Sequence, residues 1–346
     1  MRRLLTDWQL VVCTAVLASI ATCPATAVPP ESASTRPPAL SLDRATEARI
    51  LALSPERITA AEVRDVLSHA PAPRIICLQG SIALVTMRPF AEFLVAMGYP
   101  ESRLRDPVDG SLSYSSFADS EKLAGMLAWY YENEGMMPML IGHSQGGMLA
   151  IKVLYELSGE FEDKLNVWNP LTGEKENRTS ITGPLDGVER PVVGLKVPYV
   201  AALATGRLLR ILFGQWAMVS RLRAIPDSVD EFTGFIIEWD PIAMFGGEPY
   251  HATGAAEVRT VVLPASTSHI AMPKAKALAD NALTRAWIDQ YRPGDAAVPP
   301  AEAAIDTSNI VHAADIWYSV KKHWCIEAQK LIRARHARDE AKSGGG

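Results

Sequence analysis

"MPMLIGHSQGGMLAIKVLYEL", Met137 to Leu157, decides how this chain is read. It falls into three parts. Met137–Ile141 is a short apolar run of the kind that forms a buried strand. Gly142–Gly147, "GHSQGG", is a glycine-flanked turn around Ser144. Gln145–Leu157 then carries Met148, Ile151, Leu154 and Tyr155 at helical spacing, with Gly159 to end it. The bare pattern G-x-S-x-G is weak. At roughly 7% glycine, and a similar frequency of serine, about one chain in ten of this length shows it by chance. A strand before it and a helix after it are what make a nucleophile elbow worth testing.

The same alternation extends in both directions. Upstream, Pro73 and Gly80 bracket Ile75–Leu78, a continuous apolar run suited to a strand buried on both faces. Helices are expected over Pro89–Met97 and Phe117–Glu134, with a short strand at Arg103–Leu104 between them. "TAAE", Thr59–Glu62, reads as a capping box in front of an earlier short helix. Downstream, strands are expected at Leu165–Trp168, Phe235–Trp239 and Val258–Leu263. Lys274–Tyr291 reads as one helix, with Ala279, Leu283, Trp287 and Tyr291 at i+4 spacing. Strands alternating with helices predict an α/β protein with a mostly parallel central sheet flanked by helices.

Other segments stand outside this alternation. "MRRLL", the apolar run after it and an A-x-A site at Ala25 and Ala27 read as a signal peptide over 1–27, which implies a secreted or periplasmic protein. An uncleaved membrane anchor and a lipid on Cys23 are the alternatives. Residues 28–42 read as a linker, and 43–338 as a single domain. Within that domain, 171–226 reads as an insertion, polar in its first half. Its second half, "YVAALATGRLLRILFGQWAM", is apolar and suits either a lid over the site or a core helix. Asn309–Arg338 reads as a long C-terminal helix and 339–346 as a disordered tail.

Composition narrows the function classes. The formal net charge of -5, with no basic run interleaved with aromatics, speaks against nucleic acid as a partner. The Cys and His spacings suggest no metal site, and no cofactor is expected. Once the signal is removed, Cys77 and Cys325 remain. A disulfide between them is open in an oxidising compartment, but nothing requires it.

A nucleophilic serine needs a base, and the base needs an orienting carboxylate. In an elbow protein of this kind they follow in the order Ser, acid, His. Asp240 lies at the end of "GFIIEWDP" and His269 in "PASTSHIAMP", after the last strand. Glu238 and Asp230 are rivals for the acid, and His251 for the base. His143 belongs to the turn itself. His312, His323 and His336 sit on the C-terminal helix as surface or packing residues.

On "GHSQGG", "DP" at Asp240 and "SHIAMP" at His269, the chain over about Arg74–Tyr291 resembles the α/β-hydrolase superfamily, and within it the lipase-like and esterase-like serine hydrolases. The resemblance implies Ser144 as nucleophile, His269 as base and Asp240 as orienting acid. It implies an oxyanion hole from the backbone N–H of Gln145 and a second N–H from the loop after the first core strand. Many lipases carry His-Gly in that loop. Here Gln79-Gly80-Ser81 stands in its place, which leaves Ser81 as first choice and Ile82 as alternative. Because the insertion stands where this superfamily carries its cap, the expected substrate is a small-molecule or lipid ester, with contact between cap and membrane surface as one option. An acyltransferase, a thioesterase or a non-catalytic binding protein on the same fold would share these residues.

Overall fold

The computed structural model describes residues 42–206, 216–243, 247–295, 298–301 and 304–343. Five strands form one sheet, and every pairing in it is parallel: β1 (Ile75–Leu78), β2 (Met139–His143), β3 (Val197–Leu203), β4 (Val229–Ile237) and β5 (Glu257–Leu263). Their spatial order is their chain order. All five therefore point their carboxyl ends toward the same edge, and the loops leaving those ends share one surface.

Successive side chains of a strand face opposite sides. In β1 and β2, Ile75, Cys77, Met139 and Ile141 pack into one core, while Ile76, Leu78 and Leu140 pack into another. The first core is covered by helices α1 (Arg44–Leu51), α2 (Ala60–Asp65), α3 (Arg88–Met97), α6 (Lys276–Asp280), α7 (Ala282–Gln290) and α8 (Ile310–Ser343). The second is covered mainly by α4 (Ser120–Glu134) and α5 (Gln145–Ser158). This is an α/β architecture with helices on both faces of a parallel sheet. In α5, Met148, Ile151 and Leu154 are almost wholly buried, each stabilising the fold by roughly 1.5–3 kcal/mol. The capping box is present: Glu62 N–H donates to Thr59 Oγ1 at 3.2 Å, and Thr59 N–H donates to Glu62 Oε2 at 2.8 Å.

The largest departure from the sequence expectation lies inside 171–226. That segment is not an insertion throughout, because Val197–Leu203 forms β3 at the centre of the sheet, between β2 and β4. Tyr199–Leu203 is accordingly strand, not lid or core helix. All seven residues of β3 are buried, and a fully buried strand shows no period that separates it from a buried helix. The polar first half holds half of one small antiparallel hairpin, in which Glu174–Lys175 pairs with Trp168–Asn169 just before the segment, and all of another, Ser180–Thr182 with Glu189–Pro191. Residues 207–215, the middle of the apolar half, lie outside the described residues.

Smaller corrections follow. The strand expected at Leu165–Trp168 shrinks to the first of those hairpins and does not join the main sheet. Arg103–Leu104 is not a strand; Glu101–Arg103 is a 3-10 turn, and Tyr114 instead bridges Leu78 beside β1. Lys274–Tyr291 breaks into α6 and α7 at Asn281, whose side chain accepts from the N–H groups of Leu283 and Thr284 and so restarts the helix. The C-terminal helix runs on to Ser343, so residues 339–343 of the expected tail are helical. Cys77 and Cys325 are both free and buried. Burial pushes both thiols up to about 12. The signal over 1–27 and all of the linker but residue 42 lie outside the described residues, as do 344–346.

Candidate active site

β2 ends at His143 and α5 begins at Gln145, so a single residue makes the turn. Ser144 has φ 53° and ψ -117°, a conformation that an L-residue adopts at a cost of order 1–3 kcal/mol. Two glycines make the turn sterically feasible. A Cβ on Gly142 would stand 2.4 Å from the backbone of Gly146, and one on Gly146 would stand 2.2 Å from the carbonyl oxygen of Leu78. The turn is also tied from outside. Ser144 N–H donates to the Leu203 carbonyl at 2.7 Å, and Thr205 Oγ1 donates to the Ser144 carbonyl at 3.1 Å.

The loop after β1 lies against this turn. A Cβ on Gly80 would come within 3.2 Å of Ser144 Cβ, so the Gly80 backbone passes directly beside the serine. Gln79 N–H is committed to the Tyr114 carbonyl at 2.9 Å. Ser81 follows, half-buried, and Ile82 is 46% exposed. On the other side, Gln145 and Gly146 open α5, and first-turn N–H groups have no intrahelical partner. The helix end therefore presents donors and partial positive charge beside Ser144.

Asp240 lies on the loop after β4 and His269 on the loop after β5, at the same edge of the sheet. The structure brings the two together: His269 Nδ1 is 2.6 Å from Asp240 Oδ2, and both residues are buried. The second carboxylate oxygen accepts from the N–H groups of Ile242 and Ala243, each at 3.0 Å. Burial by itself would raise the Asp240 carboxyl. The hydrogen bonds from His269 and Ala243, the nearness of His269 and the bond from Ile242 outweigh it and hold the group below the ordinary carboxylate range. An ionised Asp240 fixes the proton of His269 on Nδ1 and leaves Nε2 as the acceptor nitrogen.

His143 links this pair to the turn. Its Nε2–H donates to the His269 carbonyl at 2.9 Å, and the two rings lie 5.0 Å apart. Burial, reinforced by the neighbouring His269, pushes His143 down to about 3. It is thus a neutral strut that holds the His269 loop against the residue before Ser144. Among the described residues no hydrogen bond joins Ser144 Oγ to His269. In unliganded sites such contacts are often long and tighten only in the substrate complex.

The rival residues stand elsewhere. Glu238 is exposed on the turn leaving β4. Asp230 is exposed near the start of β4, seven residues from its end, or roughly 23 Å along the strand. His251 is exposed in a two-residue pairing with Ala224. His312 is a buried packing residue, His323 is buried with its Nε2 3.0 Å from Glu231 Oε2, and His336 bonds Glu47 near the surface.

Two residues near the site escaped sequence reasoning. Thr205 holds the elbow carbonyl. Arg223, also buried, donates to the Thr205 carbonyl at 3.0 Å and lies over the Tyr250 ring at 4.2 Å. Both fall in the stretch read as an insertion, and the signal that could have exposed them is the buried strand "VPYVAAL" just before Thr205. Among the described residues no group of three or more His, Cys, Asp and Glu side chains could hold a metal ion. No described helix is long and apolar enough to cross a membrane. Comparison with models of protein families, with curated proteins and with solved structures finds no match for this chain.

Proposed function

We propose that this protein is a serine hydrolase of the α/β-hydrolase type that cleaves carboxylic esters through Ser144, His269 and Asp240. The observation that carries the reading is the 2.6 Å His269–Asp240 pair, buried on loops that leave the same sheet edge as the strained Ser144 turn. Ser144 Oγ attacks the ester carbonyl carbon and gives its proton to His269 Nε2. The carbonyl oxygen becomes an oxyanion, stabilised by the Gln145 N–H and by an N–H from the loop after β1, that of Ser81 or of Ile82. The tetrahedral species collapses, the C–O bond to the alcohol breaks, and His269 returns the proton to the departing alkoxide. Water then repeats the sequence on the acyl-enzyme, with His269 as base, and releases the acid and Ser144. Asp240 remains a carboxylate throughout and stabilises the imidazolium that forms in each half.

A fluorophosphonate tests this directly, since it captures only an activated serine. The folded protein should label stoichiometrically, and Ser144→Ala should abolish labelling. Labelling that survives Ser144→Ala sinks the assignment of Ser144, and no labelling of the folded wild type sinks the proposal and favours a non-catalytic binding protein. A thioester assayed beside an ester of the same acid separates a thioesterase, and added alcohol separates an acyltransferase by the new ester it forms.

A further inference from the structure

The main chain that carries His269 is held from outside by side chains remote in sequence. His269–Ala271 forms a 3-10 turn, and the chain runs on through Lys274 before α6 begins. His143 donates to the His269 carbonyl from one side. The start of α8 holds the other side. Asn309 Nδ2 donates to the Ala271 carbonyl at 2.7 Å and to the Lys274 carbonyl at 3.3 Å. His312 Nε2–H donates to the Met272 carbonyl between them at 2.9 Å. Asn309 is only 3% exposed, and His312 is wholly buried.

Asn309 stands where a helix-starting residue stands, since its own carbonyl accepts from the Ala313 N–H at 3.2 Å. An asparagine in that place ordinarily turns its side-chain oxygen onto the N–H groups of the first helical turn. Asn309 does not. Its Oδ1 is buried and accepts from none of the described residues, while its amide nitrogen bridges two carbonyls of the His269 segment. The side chain therefore serves that segment and not the helix that follows it. Met272, wholly buried, anchors the same segment in the core, but apolar packing is non-directional. Hydrogen bonds are directional, and the 2.6 Å contact between His269 and Asp240 depends on how the segment is turned. We propose that Asn309 is a positioning residue for His269. Acting through the Ala271 and Lys274 carbonyls, with His312 beside it, it keeps the imidazole against Asp240. The clamp on the pair stands on geometry alone; its effect on catalysis rests on Ser144 being the nucleophile.

Asn309→Ser and Asn309→Asp test this, because both keep a good helix-starting residue and remove the amide donors. Each should lower kcat for p-nitrophenyl butyrate at least about tenfold with KM little changed, and slow fluorophosphonate labelling by a similar factor. The proton between His269 Nδ1 and Asp240 should give a far-downfield proton NMR signal in wild type that is missing from His269→Gln, and both Asn309 variants should lose it. Gln329→Ala is the control. It removes bonds of the same kind, to the Ile50 and Leu53 carbonyls, about 30 Å farther along α8. It should lower the melting temperature and leave kcat and the NMR signal alone. Wild-type kcat in either folded Asn309 variant, a rise confined to KM, or an equal loss of kcat in Gln329→Ala overturns the positioning role. So does failure of both Asn309 variants to fold, since Asn309 would then serve the fold and not the pair. If folded wild type neither turns over the ester nor is labelled, the hydrolase reading fails and the NMR signal alone decides the clamp. Its absence from wild type, or its retention in the Asn309 variants, then overturns that as well.

Discussion

At the scale of single residues, Asp240 is the most informative side chain. Both of its oxygens are occupied, one by His269 and the other by two backbone N–H groups. Asp240→Asn should keep the shape but offer an N–H where the imidazole needs an acceptor. His269 would then turn to its other tautomer and protonate the nitrogen that receives the serine proton in the proposed mechanism. A fall in kcat of about 10⁴ is expected, with unfolding little changed, and ester turnover beside a thermal melt measures both. That Asp240 and His269 would be brought together was expected from chain order, and the two side chains do pair. The strut made by His143 was not, because its bond goes to a backbone carbonyl 126 residues away and depends on no residue type at the far end.

At the scale of elements, the join between β2 and α5 is close-packed backbone against backbone. Gly146→Ala would set a methyl group 2.2 Å from the Leu78 carbonyl, forcing α5 away from β1. Overpacking of this kind costs about 1–3 kcal/mol, so the midpoint of unfolding should drop. The fluorophosphonate rate should drop further than stability requires, because the shift separates the two proposed sources of oxyanion N–H. The strand, turn and helix of this unit were readable because each has its own signal: an apolar run, paired glycines, a 3–4 spacing. β3 was not, since its seven buried residues carry no alternation. The break between α6 and α7 was missed for the opposite reason, an i+4 apolar series that continues across Asn281.

Across the whole molecule, charge and burial meet on α8. His312 is fully buried, with its ring near Phe90 and Phe235 and its Nε2–H donating to the Met272 carbonyl at 2.9 Å. Burial pushes it down to about 4. The folded state thus favours the neutral ring. Its contribution is complete above the unfolded value of about 6.5 and is lost as pH falls toward 4, on the order of 3 kcal/mol. His143 acts in the same direction over a window that extends to about 3. Denaturant midpoints measured from pH 7 to pH 4 should therefore decline, and His312→Gln, which can still donate to Met272, should flatten the decline. That α8 exists was evident from its apolar stripe, but not where it lies. Trp317 and Trp324 are both wholly buried, Trp324 Nε1–H donates to the Pro71 carbonyl at 2.9 Å, and Gln329 Nε2 bonds the carbonyls of Ile50 and Leu53 at 3.0 and 2.9 Å. Those contacts span more than 250 residues, and nothing local encodes them. They also set an order for biosynthesis. The part of the sheet face that α8 covers stays open until residues 310–332 have been translated, although α1, α2 and α3 of the same face are made early. Until then the nascent protein exposes apolar surface of the kind that chaperones hold.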